Sequence, residues 1–277
     1  MNDPRSIFII NPEELKKKLY LPNIKILDCR WFLNQPQKGI YEYKKSHLPN
    51  ALYYDLEENS EKNNDLPHMF PSNKKFSNSI NKLGISKKDF IVIYDQIGFF
   101  CSARIWYIFK TYGFKNIKIL NGGFSSWKKK KFPTTKKIPE YKFLNANFKI
   151  IKNRIIDKKQ IQKMLFDNKK NFKLIDARPE KRFYGIDPEP RKNIKSGNIP
   201  GSINIPFNKI SDKNGNLLSI KKLRNLFNKE INSKKDDKIV CLCGSGVTAC
   251  NIILSLDILG YKNINLYDGS WAEWGKE

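Results

Sequence analysis

No stretch of the 277-residue chain approaches the roughly 20 consecutive apolar residues that a bilayer-spanning helix needs, so no membrane span is expected. The opening residues Met1 to Phe8 are too poor in apolar character for a secretory leader, and none is expected there. Histidine occurs only twice, as His47 and His68, which is too few for a metal centre built on imidazole; neither a metal nor a cofactor is expected. The 5 cysteines are odd in number and irregularly spaced, so they do not form a disulfide framework, and the expected compartment is a reducing cytoplasm. Acidic residues are scarce: 27 Asp and Glu stand against 52 Lys and Arg, a formal net charge of +25.

Such a charge attracts polyanions without selecting among them. The lysines, however, are spread through nearly every part of the chain, together with many asparagines and isoleucines. A/T-rich codons account for that joint excess. The densest basic runs, Lys128 to Lys131 and Lys136-Lys137, fall at or near an apparent linker. The expectation is a solvated basic surface with no specific nucleic-acid partner.

The chain contains one unit twice, at a spacing near 148 residues. Ile26-Leu27-Asp28-Cys29-Arg30 returns as Leu174-Ile175-Asp176-Ala177-Arg178, and His47-Leu48-Pro49-Asn50-Ala51 as Asn198-Ile199-Pro200-Gly201-Ser202. Ile91 to Asp95 returns as Ile239 to Cys243, Gly113 to Ile117 as Gly260 to Ile264, and Asn121-Gly122-Gly123 with Trp127 as Asp268-Gly269-Ser270 with Trp274. Short apolar strands alternate with helical stretches in each copy, which predicts α/β domains with mostly parallel sheets flanked by helices. Asn11-Pro12-Glu13-Glu14 reads as a helix start, and Gly113 and Gly260 as residues just past helix ends. The expected division is a first domain at 1–133, a basic, proline-bearing linker at 134–147, and a second domain at 148–277. The shared Asp-x-Arg reads as a structural ion pair in each copy.

Cys243 ends an apolar strand and is followed by Gly244-Ser245-Gly246-Val247-Thr248 and then an apolar helix reaching Gly260. That order aims backbone N–H groups and a helix N-terminus at one sulfur, an environment that favours the thiolate. The expected role of Cys243 is therefore nucleophile. The first copy has Asp95 at this position, and a carboxylate cannot do thiol chemistry, so only the second copy is expected to be catalytic. Cys101, Cys241 and Cys250 read as packed residues. A Cys-x5-Arg phosphatase loop would need arginine at position 249, where Ala249 stands.

Repeat, strand–loop–helix and cysteine together resemble the tandem two-domain members of the rhodanese superfamily, from about Ile24 to Trp274. The Cys243–Thr248 loop resembles that of the 3-mercaptopyruvate-using sulfurtransferases within it. The resemblance implies a first domain that is an inactive copy and a second whose cysteine becomes a persulfide, cradled by Gly244, Ser245, Gly246, Val247 and Thr248. The uncharged Gly244-Ser245-Gly246 departs from the basic loops of thiosulfate users and favours a monocarboxylate donor. Arg182 and Arg191 lie in Arg182-Phe183-Tyr184-Gly185-Ile186-Asp187-Pro188-Glu189-Pro190-Arg191, which resembles the family's substrate-binding segment, and guanidinium forks suit a carboxylate. The resemblance also implies a proton-moving triad: Ser245 and His68 match, while the upstream position is Glu57 where the family has aspartate, with Asp55 as the alternative. His47 reads as structural. The activity implied is transfer of sulfur from 3-mercaptopyruvate to a thiol, thioredoxin-like or cyanide acceptor. A thiosulfate:cyanide sulfurtransferase and a non-catalytic sulfur carrier or interaction module are the alternatives.

Overall fold

The computed structural model describes residues 3–62, 65–151, 154–167 and 172–276. The chain forms two compact units. The first comprises Met1–Glu61, Phe70–Asn153 and Ser211–Leu217; the second comprises Lys62–Met69, Arg154–Ile210 and Leu218–Glu277. Each unit thus holds one short segment from the other half of the sequence, and His68 belongs to the second.

In the first unit the strands are β1 (Ile9–Ile10), β2 (Ile24–Asp28), β3 (Ala51–Tyr53), β4 (Phe90–Tyr94) and β5 (Ile117–Leu120). The helices are α1 (Pro12–Lys18), α2 (Lys38–Lys45), α3 (Leu56–Asn59), α4 (Asn73–Lys82), α5 (Ser102–Thr111) and α6 (Gly123–Lys129). The five strands are parallel in the order β1-β5-β4-β2-β3. Every residue of β2 is buried, as expected for a parallel strand covered on both faces. Beneath the sheet Ile10, Ile26, Val92, Leu120 and Trp127 form one apolar cluster.

The helix-start reading of Asn11 is half right. Its backbone is extended and Pro12 opens α1, but its side chain makes no cap bond and instead accepts from Asn121 Nδ2 at 3.1 Å. Residues 134–147 contain neither helix nor strand beyond a single bridge from Thr135 to His47, and they are stitched to the first unit. Leu144 N–H donates to the Asn81 carbonyl at 3.0 Å, and Ala146 N–H to Asn81 Oδ1 at 3.1 Å. His47 is structural, with Nδ1 2.7 Å from the Tyr43 carbonyl and Nε2 3.0 Å from that of Lys137.

The second unit repeats the plan with β6 (Ile155–Ile156), β7 (Phe172–Asp176), β8 (Ile203–Asn204), β9 (Lys238–Leu242) and β10 (Ile264–Tyr267). Its helices are α7 (Lys158–Phe166), α8 (Glu180–Phe183), α9 (Ile220–Ile231), α10 (Ala249–Ile258) and α11 (Ser270–Trp274). The order β6-β10-β9-β7-β8 is the first unit's order over again, and the register matches: Asp28 pairs with Tyr94, Asp176 with Leu242. Gly113 (φ 85°) and Gly260 (φ 83°) adopt the left-handed conformation that closes α5 and α10, where a side chain would be strained.

The Asp-x-Arg motif is a buried ion pair in both units. Arg30 Nη2 is 2.7 Å from Asp28 Oδ2, and Arg178 Nη2 is 2.7 Å from Asp176 Oδ2. The same nitrogen also donates to a carbonyl, that of Ser46 or Gly197, at 2.7 Å. Each guanidinium lies over an aromatic ring, Phe124 or Trp271, at 4.2 Å. Among the described residues no helix is long and apolar enough to cross a membrane.

Candidate active site

Cys243 is the first residue beyond β9, at the carboxyl edge of a parallel sheet where open α/β folds place their ligands. The chain turns through Gly246, whose φ of 72° is left-handed, and enters α10 at Ala249. α10 is buried on nearly every face, so its position at the end of this loop is fixed by packing. The first turn of α11 grips the main chain of the Cys243 loop: Trp271 N–H donates to the Cys243 carbonyl and Ala272 N–H to that of Gly244, both at 2.9 Å.

The Cys243 residue is 2% exposed, yet its setting is polar. A carbon built as a side chain on the neighbouring Gly244 would stand 3.1 Å from Arg182 Nη2 and 3.7 Å from Arg191 Nη1. The glycine leaves the room in which both guanidiniums approach the loop. Ser245 Oγ lies 2.8 Å from His68 Nδ1, and Arg191 Nη2 donates to it at 3.4 Å. The structure therefore brings His68, Ser245, Arg182 and Arg191 together around the Cys243 loop. His68 is itself held with φ of 58°, in the left-handed region, and is nearly covered.

Glu57 stands in α3 of the first unit, where its Oε1 accepts from the Trp31 indole N–H at 2.8 Å. Asp55 caps α3, its Oδ1 accepting from Glu57 N–H at 2.8 Å and Glu58 N–H at 3.2 Å. Burial raises the Asp55 carboxyl above the usual carboxylate range, with these amides opposing.

Sequence reasoning passed over Glu189. Its side chain is 4% exposed and joins two arginines: it accepts from Arg178 Nη1 at 2.8 Å and also pairs with Arg182. Arg178 thereby does more than complete an internal ion pair, because through Glu189 it fixes the guanidinium beside Gly244. The only signal was an acid caught between Pro188 and Pro190 in a run flanked by arginines. Spacing alone does not show that such an acid turns inward.

The remaining cysteines are packed. Cys241 is fully buried in β9, and burial pushes its thiol well above the ordinary range. Cys101 donates its S–H to the Cys29 carbonyl at 2.6 Å, and Cys250 to the Gly246 carbonyl at 3.4 Å.

At the equivalent point in the first unit the loop from Gln96 to Cys101 closes around Asp95. Asp95 Oδ1 accepts from the N–H groups of Ile97 at 3.0 Å and Gly98 at 2.5 Å. Oδ2 accepts from those of Phe100 at 2.8 Å, and Cys101 and Ser102 at 3.0 Å each. This loop fold is thus a nest of main-chain donors converging on one negative side chain.

The Rhodanese-like domain profile matches residues 11–130 and again 157–277. A thiosulfate/3-mercaptopyruvate sulfurtransferase of Arabidopsis thaliana, named as mitochondrial, is 34% identical over 97% of this chain and 76% of its own length. The 3-mercaptopyruvate sulfurtransferase of Mus musculus is 32% identical over 95% of this chain and 88% of the relative. Among solved structures, SseA of Escherichia coli, described as a 3-mercaptopyruvate sulfotransferase, superimposes with a TM-score of 0.85 at 28% identity, covering 95% of this chain and 98% of that one. The chain belongs to the rhodanese family, as a tandem pair of its domains, and it is a sulfurtransferase. It accordingly works on a sulfur donor and a sulfur acceptor.

Proposed function

We propose that the donor is 3-mercaptopyruvate and that sulfur passes through a persulfide on Cys243. The observation that carries the reading is the pair of guanidiniums at the Gly244 position, 3.1 and 3.7 Å from where a side chain would begin. Guanidinium forks suit a planar carboxylate because they offer parallel N–H donors, and the uncharged Gly244-Ser245-Gly246 of the loop favours a monocarboxylate over a dianion. The Cys243 thiolate attacks the donor sulfur. The sulfur–carbon bond breaks, and its electron pair leaves as the enolate of pyruvate. The proton of the donor thiol moves to that enolate by way of Ser245 and His68, giving pyruvate and an anionic persulfide. The outer sulfur then rests on the N–H groups from Gly244 to Thr248; the five amides gathered on Asp95 in the first unit support this, since the corresponding loop there, one residue longer, turns its amides onto a carboxyl group. A thiol, a thioredoxin-like dithiol or cyanide takes that sulfur and restores the thiolate.

The proposal keeps the first repeat, residues 1–133, as the non-catalytic copy and residues 148–277 as the catalytic one; both profile matches fall inside these bounds. Cytoplasm remains the proposed compartment, in keeping with five cysteines none of which is joined in a disulfide. Initial rates with 3-mercaptopyruvate and thiosulfate as alternative donors test the substrate. The expected result is a higher kcat/KM for 3-mercaptopyruvate, and a KM for it raised about tenfold or more in Arg191→Ala, from loss of a charge-assisted hydrogen bond. Preference for thiosulfate in the wild type, with Arg191→Ala unchanged, would assign the donor to the other class.

A further inference from the structure

Ser270, the first residue of α11, differs between the two units beside the Asp95 and Cys243 positions. Its φ is 52°, a conformation in which a residue other than glycine is strained, and it is fully buried. The first unit has Gly123 at the equivalent place, with φ of 55°. A side chain on Gly123 would collide with the Asp95 carbonyl and the Gly98 nitrogen, both 2.5 Å away. The first unit's loop, Gln96 to Cys101, is one residue longer than Gly244 to Thr248. The shorter loop of the second unit leaves space for a serine, though not a relaxed backbone.

The serine hydroxyl is fully engaged. Ser270 Oγ accepts the Cys243 N–H at 3.2 Å and donates to the Tyr267 carbonyl at 2.8 Å. The carbonyl-side grip is common to both units: Phe124 N–H donates to the Asp95 carbonyl at 2.8 Å, as Trp271 N–H does to that of Cys243 at 2.9 Å. Gly123 has no hydroxyl to offer, so the bond from this position to the nucleophile's own amide belongs to the unit with the thiol. We infer that Ser270 is a positioning residue: its hydroxyl fixes the peptide plane entering Cys243 and so aims the Cα–Cβ bond that carries the sulfur. Strain at a buried non-glycine residue is retained where it serves such a contact. This inference rests on Cys243 being the nucleophile.

The decisive variant is Ser270→Gly, because it relaxes the backbone while removing the hydroxyl. The expected result is a kcat lowered about ten- to a hundredfold, KM for 3-mercaptopyruvate within about twofold, and an unchanged or higher Tm. Alkylation of Cys243 by iodoacetamide, followed peptide by peptide, slows by a similar factor. Ser270→Ala, which loses the hydroxyl but keeps the strained φ, shows the same loss with a lower Tm. Wild-type kcat and alkylation rate in Ser270→Gly would overturn the inference. So would a loss of kcat that merely follows a fall in Tm while alkylation stays unchanged. Cys243→Ser separates the two ideas: if it loses activity while Ser270→Gly does not, the sulfur-transfer reading stands and the positioning role fails. If the wild type transfers no sulfur, the alkylation comparison still decides the role of Ser270.

Discussion

Cys243→Ser is expected to lower sulfur transfer from either donor by about a thousandfold or more, because a serine hydroxyl neither ionises at neutral pH nor accepts a sulfur atom. The two side chains are close in size. The bonds that hold this residue, from Trp271 N–H to its carbonyl and from its own N–H to Ser270 Oγ, involve only main-chain atoms of residue 243. The variant should therefore fold as the wild type does, and circular dichroism with thermal melting checks that directly. Steady-state assays of pyruvate release and of thiocyanate formation provide the readout. A variant retaining more than about a tenth of wild-type turnover would mean that the group doing the chemistry lies elsewhere.

The other large effect is on stability. Asp95→Ala removes the acceptor of five backbone N–H groups, three of which lie at or beside the start of α5, and leaves them buried or half-buried with nothing to bind. The expected cost is about 3 kcal/mol, expressed locally as a roughly hundredfold loss of hydrogen-exchange protection in the Ile97–Ser102 segment. Asp95→Asn, which keeps one carbonyl oxygen, should fall between. Exchange in Asp95→Ala equal to wild type would show that the nest does not depend on its carboxylate. It would also weaken the use of Asp95 as a guide to how the Cys243 loop would hold the proposed persulfide.

Those two residues also show what could be read in advance. The parallel sheets, their repeat and the placement of Cys243 and Asp95 past equivalent strands were legible, because buried parallel strands are continuous apolar runs and helix ends carry glycine. The Asp-x-Arg pairs were legible for the same reason, being repeated within one short motif. Arg182, Arg191, Ser245 and His68 were nameable only through resemblance; the structure adds their convergence, which no spacing encodes, since His68 and Ser245 stand 177 positions apart. Glu189 and Ser270 were not legible. Glu189 passes for a surface acid until the arginines fold over it. Ser270 passes for any small residue following Gly269 until its φ and the amide of Cys243 are seen together. Nor does sequence order reveal that Lys62–Met69 joins the second unit and Ser211–Leu217 the first. Such exchanges are set by long-range packing, to which local pattern is blind.

The most direct measurement is the intact mass of the reduced protein after brief exposure to 3-mercaptopyruvate, followed by mapping of the modified peptide. The expected result is one added sulfur atom, located on Cys243, discharged by cyanide or a dithiol and absent from Cys243→Ser. Release of pyruvate with no sulfur retained on the protein, or sulfur retained on Cys29, Cys101, Cys241 or Cys250 instead, would contradict it.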